Sequence, residues 1–400
     1  MSKFKGNNLR FEITGSSHAE EISIEAYGLP VGEAVDTDEL QRFLNRRAPG
    51  NSELTSQRKE SDVPRFVCGV QDGKTSGKLV AVIPNTDVRK SDYVNLKHIP
   101  RPGHADFAAW QKFGLEHDMS GGGEFSGRMT APLCVLGGIA IQILNRRGIE
   151  ICTESDVSAE EILKAKAEGD SLGGHIRCRM TGVPAGLGSA GTEGLESLVS
   201  SLIFGIPAVK EIRFGNIKMR GSENNDAFIV RDGKVVTESN HHGGILGGIS
   251  TGMPIEFTVL VKPTPSIANE QRSVNLDTME PVTISINGRH DPCIVTRAMP
   301  VVEACAAIAI LDVMLTDWNS HSIADFRSSI DCIDTEIEAL LDKRMEICRE
   351  IAEYKAAHGL PTLDADREAQ KLEQISPEYR EIFKDVMRLS RQLQEEHRHG

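Results

Sequence analysis

The sequence predicts an α+β domain built on antiparallel sheets, followed by a small all-α module of three helices. Three observations predict this. "EISIEA" (21–26) and "TISING" (283–288) alternate apolar and polar residues with period two, as half-buried strands do. "AFIVRDGKVVTES" sets Asp232-Gly233 between two β-rich runs, a hairpin signal and hence a sign of antiparallel pairing. From Ser322 to Gly400 there is no strand pattern at all. Hairpins with helices interleaved among them favour antiparallel sheets over a doubly wound parallel sheet.

Taken in order, the helical patterns are "DTDELQRFLNRR", "APLCVLGGIAIQILNRRG", "SAEEILKAKAEG" and "TEGLESLVSSLIFG". The longest apolar run, "AAIAILDVML" (306–315), is broken by Asp312 and is too short to span a bilayer, so it reads as a buried helix. Beyond "TDWNSH" (316–321) comes a helix from about 322 to 357, stopped by His358-Gly359 with Pro361 beyond. A second helix is expected from Asp364, and a third from Ser376-Pro377, an N-cap followed by proline. The expected domains are therefore 1–320 and 322–400, in keeping with 400 residues being too many for one ordinary core.

Composition narrows the function classes. Hydrophobic residues make up 39% and charged residues 26%, as in a globular protein. A net charge of −13 argues against nucleic acid or an anionic membrane as the main partner. The 8 cysteines are scattered without a C-x-x-C pair, which favours reduced structural thiols over disulfides or a metal site. The first thirty residues hold no apolar run suited to a signal peptide, so a cytoplasmic location is expected.

The first helix of the C-terminal module carries apolar residues at Ile323, Phe326, Ile330, Ile333, Ile337, Leu340, Ile347, Ile351 and Tyr354, with Lys343 and Arg344 where the next apolar residue should fall. Arg344 and Lys355 are about 20° out of phase and roughly 16 Å apart along the axis, so both can serve one small pocket. Arg327 is about 100° off that face and roughly 25 Å away, and could serve only the pocket of an antiparallel partner. Ser390 and Gln394 share a face of the third helix, and Asp364, Arg367 and Glu368 open the second. Such a cationic pocket with a few neutral donors suits a dicarboxylate. A helix this long makes a poor monomer core, so the module is expected to dimerise.

Read together, "FRSSIDCIDTEIEALLDKRMEICREIAEYK", "DADRE" and "SRQLQ" resemble an all-helical chorismate mutase over 322–400. The resemblance implies a Claisen rearrangement of chorismate to prephenate, in which the pocket holds a reactive conformer and stabilises developing charge. Carried over by position, Arg327 of a partner chain, Arg344 and Arg367 would grip carboxylates. Lys355 and Gln394 would face the ether oxygen, and Glu368, Asp364 and Ser390 would hold the ring hydroxyl and nearby backbone.

Four stretches stand out in the larger domain. "RPGHADFAAWQKFG" (101–114) gathers His104, Asp106 and cations; "SGGGEFSGRMTAPLC" (120–134) is a glycine run entering a helix, able to cradle an anion. "NHHGGILGGISTG" (240–252) pairs glycines where backbone could approach a ligand, and "GRHDPC" (288–293) joins Arg289, His290 and Asp291. Arg46-Arg47, Arg58-Lys59, Lys262 and Arg272 add local basic sites to an acidic chain.

These stretches, with "GSSHAEEI", "FLNRRAPG", "NTDVRKSDY", "GVPAGLG", "AVKEIRFG", "MRGSENND", "KPTPSI" and "GRHDPCIVTRAMPVVEA", resemble chorismate synthase from about residue 8 to 318. The resemblance implies a sandwich of helices between antiparallel sheets, a homotetramer, and reduced FMN as cofactor, with NADPH involved only indirectly through flavin reduction. The implied reaction is a 1,4-anti elimination of phosphate from 5-enolpyruvylshikimate 3-phosphate. His18 would assist phosphate departure, His104 would protonate or poise the flavin, and Asp291 would belong to the base relay, with Ser17 and Ser126 in support. Ser126, Arg128, Pro207, Ala208, Gly248, Lys262, Pro263, Thr264, Pro265, Ser266 and Arg289 would hold FMN. Arg47 matches a position tied to the nicotinamide cofactor or anionic substrate, and Arg46 is assigned to substrate.

The chain departs from the family pattern in places. "GESHG" reads "GSSHA", putting Ser16 and Ala19 for glutamate and glycine; "SARE" reads "SGRM", with Met129 for glutamate; Glu53 and Glu124 replace arginines. The combined expectation is a fused enzyme running from 5-enolpyruvylshikimate 3-phosphate through chorismate to prephenate. Two alternatives stay open: an active synthase whose helical module only senses chorismate and mediates dimerisation, and a flavin-binding scaffold with a decayed elimination site.

Overall fold

The computed structural model describes residues 2–50, 60–86, 98–286, 291–318, 323–361 and 363–399. The chain divides into two compact units, Met1–His321 and Ser322–Gly400.

In the first unit, β1 (Ser2–Lys5), β2 (Arg10–Gly15), β3 (Glu21–Tyr27), β4 (Arg65–Gln71) and β5 (Lys74–Pro84) form a five-stranded sheet in the order β1-β2-β3-β5-β4, antiparallel throughout. The alternation in "EISIEA" is realised in β3, where Ile22, Ile24 and Ala26 are buried and the residues between them are not. A second antiparallel sheet takes the order β6-β7-β13-β8, from β6 (Glu150–Ser155), β7 (Gly174–Thr181), β8 (Val209–Phe214) and β13 (Ile255–Val261). Three short hairpins complete the strands: β9 (Phe228–Arg231) with β10 (Lys234–Thr237), β11 (Ile245–Leu246) with β12 (Ile249–Ser250), and β14 (Gln271–Asn275) with β15 (Glu280–Ile284). The first has the foreseen turn, with Asp232 and Gly233 both at positive φ. The strand expected at 283–288 begins earlier and ends at Ile284.

Helices fill the space between the two sheets. α1 (Thr37–Arg47) and α2 (Asp106–Phe113) precede α3 (Thr130–Asn145), which lies on β3 and β5; α4 (Ala159–Ala167), α5 (Leu195–Phe204) and the short α6 (Gly221–Asn224) precede α7 (Val295–Trp318), which lies on β6 and β7. α3 and α7 pack on each other, and the contact is close: a Cβ on Gly137 would stand 2.2 Å from the Cβ of Ala304. This layering explains their composition. Val295–Thr316 is long and apolar enough to cross a membrane, well beyond the run at 306–315, yet 94% of its most apolar 18 residues are buried inside the protein. The seven described cysteines are free thiols, and burial pushes Cys134 up to about 12.

The second unit contains α8 (Ile323–Ala357), α9 (Ala365–Glu373) and α10 (Arg380–His399), with α10 packed on both others. The caps follow the sequence: Gly359 has φ +67, and the Asp364 carboxylate accepts from the Arg367 N–H at 3.0 Å. Ser376-Pro377 opens a 3₁₀ turn that leads into α10 rather than opening that helix directly. The apolar stripe of α8 is not the face packed on α10. Ile330, Ile333, Ile337, Leu340, Ile347, Ile351 and Tyr354 are 40% to 64% exposed, and the buried face instead carries Cys348 and Ala352.

Candidate active sites

In the first unit a cavity of about 740 Å³ is walled by the segments around 101–105, 121–130, 204–210, 262–266 and 291–301, together with Ser2, His18, Arg47 and Pro49. Its floor is set by the glycine run. Gly121, Gly122 and Gly123 all have positive φ, a backbone that glycine adopts without strain. A Cβ on Gly121 would stand 2.0 Å from His18 Cε1, and one on Gly122 would stand 3.3 Å from His104 Nε2. The run is thus the seat of both histidines, and Gly123 accepts the Ser17 N–H at 3.1 Å. Ser126 caps the following turn, its Oγ accepting the Arg128 N–H at 3.3 Å.

Charged groups on the cavity wall are held by buried carboxylates. Arg47 Nε donates to Asp62 at 2.8 Å, and the Arg128 guanidinium meets the other oxygen of the same carboxylate. Arg128 Nε also donates to Asn85 at 2.8 Å. Burial opposes ionisation of Asp62, but the two arginines outweigh it and hold the acid below its ordinary range. Asp291 pairs with Arg297, whose Nε donates to the Arg47 carbonyl at 2.8 Å.

His104 is fixed from the side away from the glycine run. Its Nδ1 lies 2.7 Å from Asp106 Oδ1, and Asp106 in turn accepts from Arg101 Nε and Nη2 at 2.7 Å each and from the Arg101 N–H at 2.9 Å. Burial pushes the His104 pKa down, and the Asp106 hydrogen bond works against that. Burial and then the charge of nearby Lys210 likewise lower Lys262, whose ammonium meets the Gly103 carbonyl. Ala208 has φ +72, unusual for a residue with a Cβ, and its carbonyl accepts the Lys262 N–H at 2.9 Å. Thr264 Oγ1 is buried at the cavity without a hydrogen-bond partner.

The structure therefore brings His18, Arg47, His104, Ser126, Arg128, Pro207, Ala208, Lys262, Thr264, Pro265, Ser266 and Asp291 to one cavity. Ser17 is buried behind it. Arg46 is elsewhere: its guanidinium makes a two-pronged pair with Glu303, at 2.7 and 2.8 Å, because adjacent helix residues point about 100° apart. Gly248 is elsewhere too. It turns the β11–β12 hairpin at φ +86, where a Cβ would stand 2.1 Å from the Ser189 carbonyl, so close backbone approach accounts for the glycine. Pro263 is not on the cavity wall, and Arg289 and Glu53 lie outside the described residues. Met129 is buried in the apolar core, while Glu124 is on the wall. Sequence reading missed Glu60, Asp62 and Arg297 as wall supports. Their partners are up to 250 residues away, and no local pattern marks them.

In the second unit the Arg344 guanidinium reaches from α8 to the Ser390 hydroxyl on α10 and lies 3.8 Å from Cys348 Sγ. Ser390 Oγ donates to the Val386 carbonyl at 2.7 Å. Gln394 Oε1, one turn further along α10, is buried without a hydrogen-bond partner. Glu368 on α9 is held by Arg391 at 2.6 Å, a contact between helices that was not foreseen. Lys355 is half-buried, whereas Arg327 and Arg367 are exposed within the unit. Arg344, Ser390 and Gln394 thus line one side of α8 and α10, and Asp364 and Glu368 belong to the neighbouring α9.

Comparison with known proteins bears on both units. Residues 9–159 and 153–315 match the family described as chorismate synthase, and residues 326–395 match chorismate mutase type II. A chorismate synthase of Lancefieldella parvula is 42% identical over 374 residues, covering 80% of this chain and 98% of that one. The chorismate synthase of Thermococcus kodakarensis is 41% identical over 345 residues, covering 78% of this chain and 97% of the relative. A solved structure described as chorismate synthase superimposes with a TM-score of 0.62 at 21% identity, covering 84% of this chain and all of that one, which supports the helix-filled sandwich as the fold. The chain belongs to the chorismate synthase family and joins to it a type II chorismate mutase segment, so it is an enzyme with a lyase part and an isomerase part.

Proposed function

We propose that the first unit eliminates phosphate from 5-enolpyruvylshikimate 3-phosphate to give chorismate, using reduced FMN, and that the second rearranges chorismate to prephenate. The observation that carries the first half is the seating of His18 and His104 on one glycine run at one cavity. The residues present fit FMN. The cavity is of ligand size, Thr264 Oγ1 is an unpartnered polar atom on its wall, Ala208 offers a backbone turn held at positive φ, and Lys262 and Lys210 supply charge for a phosphate. Reduced FMN, when bound, lends electron density to the allylic system so that the carbon–oxygen bond to phosphate can break without net redox change.

The chain's own groups do the rest. His18 would give a proton to the departing phosphate, and His104 would hold a proton at the cavity wall for bound FMN. Asp291, held in place by its ion pair with Arg297, belongs to the route by which the ring proton leaves. Arg47 and Arg128 are locked by Asp62, so the positive wall they form costs no reorganisation when an anion arrives. Glu124 in place of an expected arginine makes that wall less cationic. NADPH enters only through reduction of the flavin, and the free thiols suit a cytoplasmic setting.

In the second unit, Arg344 and Arg367 bind carboxylates, Lys355 and Gln394 face the ether oxygen, and Asp364, Glu368 and Ser390 hold the hydroxyl side. Gln394 would donate from Nε2 to that oxygen, and its buried Oε1, with no partner of its own, marks an amide left unsatisfied within the chain. Arg327 serves the site of a partner chain. We assign the exposed stripe of α8 to that pairing, and a homotetramer to the whole chain.

Both halves are tested by anaerobic incubation of the protein with 5-enolpyruvylshikimate 3-phosphate and photoreduced FMN, with the products separated. Prephenate is expected. Chorismate accumulating unchanged overturns the mutase half and leaves the helical module as a chorismate sensor. No turnover overturns the synthase half.

A further inference from the structure

The "HAD" of residues 104–106 holds an acid whose position only the fold explains. Asp106 is buried at 2% exposure at the start of α2, and its carboxylate touches one titratable side chain, that of His104, at 2.7 Å. Every other described contact to it comes from Arg101, through two guanidinium nitrogens and the backbone N–H. Arg101 is itself anchored by the Ser266 hydroxyl at 3.4 Å. Among the described residues, the charged groups facing His104 are Asp106 from α2, Arg101 from the preceding turn and Lys262 from the segment after β13.

His104 Nδ1 has two neighbours that make opposite demands. Asp106 Oδ1 at 2.7 Å needs a proton on Nδ1, whereas Arg101 Nη2 at 3.0 Å could donate only to a bare Nδ1. Arg101 Nη2 already donates to Asp106 Oδ1 at 2.7 Å. A bare Nδ1 would also set its lone pair against the buried Asp106 carboxylate. The proton therefore belongs on Nδ1, and Nε2 is left at the cavity wall beside Gly122.

We propose that Asp106 is a positioning residue: acting through Nδ1 of His104, it fixes the neutral tautomer and the ring orientation, so that Nε2 is the one nitrogen offered to the cavity and can be protonated there. This rests on the reading of the cavity as the elimination site, and it adds the residue that makes His104 able to hold a proton at Nε2. Burial, Arg101 and Lys262 all disfavour the imidazolium, and Asp106 supplies the one negative charge among the described groups facing it.

The test needs neither flavin nor turnover. Histidines of the full chain are labelled with nitrogen-15, the His104 signals are assigned by their loss in His104→Asn, and tautomer and titration are read by long-range nitrogen–proton NMR. The expected result is a proton on Nδ1 in the neutral ring. In Asp106→Asn the tautomers mix, and the His104 midpoint falls by about one to three pH units. A proton on Nε2 in the unaltered chain overturns the proposal, as does an unchanged midpoint in Asp106→Asn. A turnover cycle separates positioning from folding. Asp106→Asn alone should lower synthase kcat by about 10²-fold or more, yet add almost nothing in the His104→Asn background. An equal loss in both backgrounds assigns Asp106 a purely structural role. If the cavity proves not to be an elimination site, the tautomer and midpoint still decide whether Asp106 controls His104.

Discussion

Asp312 interrupts the most apolar stretch of the chain because its carboxylate closes the turn between β1 and β2. It is wholly buried, and it accepts the N–H groups of Asn7 and Asn8 at 2.8 Å each and of Leu9 at 2.6 Å. Three successive amides around one carboxylate form an anion nest, supplied here by the protein itself. Asp312→Ala would leave those donors unpaired, at about 1–3 kcal/mol for each that stays buried, so we expect a loss of about 3 kcal/mol or more in urea unfolding. Asp312→Asn keeps one accepting oxygen and should cost less. An unchanged midpoint for the alanine variant would show that the turn finds other acceptors. Asp226 gives a prediction in pH. Burial opposes its charge, but the Ser239 hydroxyl, the His241 and His242 N–H groups and the His242 ring hold it down at about 2, against an ordinary 3.8. A depressed acid adds stability that is complete above its unfolded value and disappears as pH falls through its folded value. Between pH 3.8 and about 2 the wild type should therefore lose more stability than Asp226→Asn, as measured by thermal melts across that window.

At the scale of elements, the glycine run at 121–123 separates what could be read in the chain from what could not. "SGGGEFSGR" is legible as a turn entering a helix, because three glycines before a cap and an apolar helix are local chemistry. That the run seats His18 and His104 is not legible, since His18 lies a hundred residues earlier on another element. Gly121→Ala tests the seating. A Cβ there meets His18 at 2.0 Å with φ at +60, so the ring must move. If His18 is the proton donor proposed above, synthase turnover should fall by about 10² or more with mutase turnover unchanged. Full synthase activity would show that His18 is not needed where it stands. The same division runs through other elements. Helix caps at Asp36, Ser158 and Asp364 follow from residues three apart, and the Asp232-Gly233 hairpin follows from its turn pair. Arg46 and Arg47 look alike in sequence, yet one pairs with Glu303 and the other with Asp62. Which arginine reaches the cavity depends on where α1 lies against α3 and α7, and no local pattern encodes that.

Across the whole molecule, the exposed stripe on α8 has the largest consequence. The periodicity correctly marked an apolar face, but a single chain leaves it open and packs α10 on the adjoining face of Cys348 and Ala352. Seven large apolar residues, each at least 40% exposed along one helix, are the surface we assign to burial against another chain. If a second copy covers it in antiparallel fashion, Arg327 of each chain completes the site of the other. Arg327→Ala and Lys355→Ala should then each abolish rearrangement alone, for different reasons. Co-expressing the two variants should restore activity, because the mixed pair combines an intact Lys355 in one chain with an intact Arg327 in its partner. Random pairing makes half of the pairs mixed, each with one sound site of two, so recovery should approach about one quarter of wild-type activity. Adding Ile333→Glu and Leu340→Glu to both chains places charge in the stripe, and should remove the recovery together with the self-association seen by sedimentation. Recovery that survives those charges would place the pairing elsewhere, and no recovery at all would make each helical unit complete by itself.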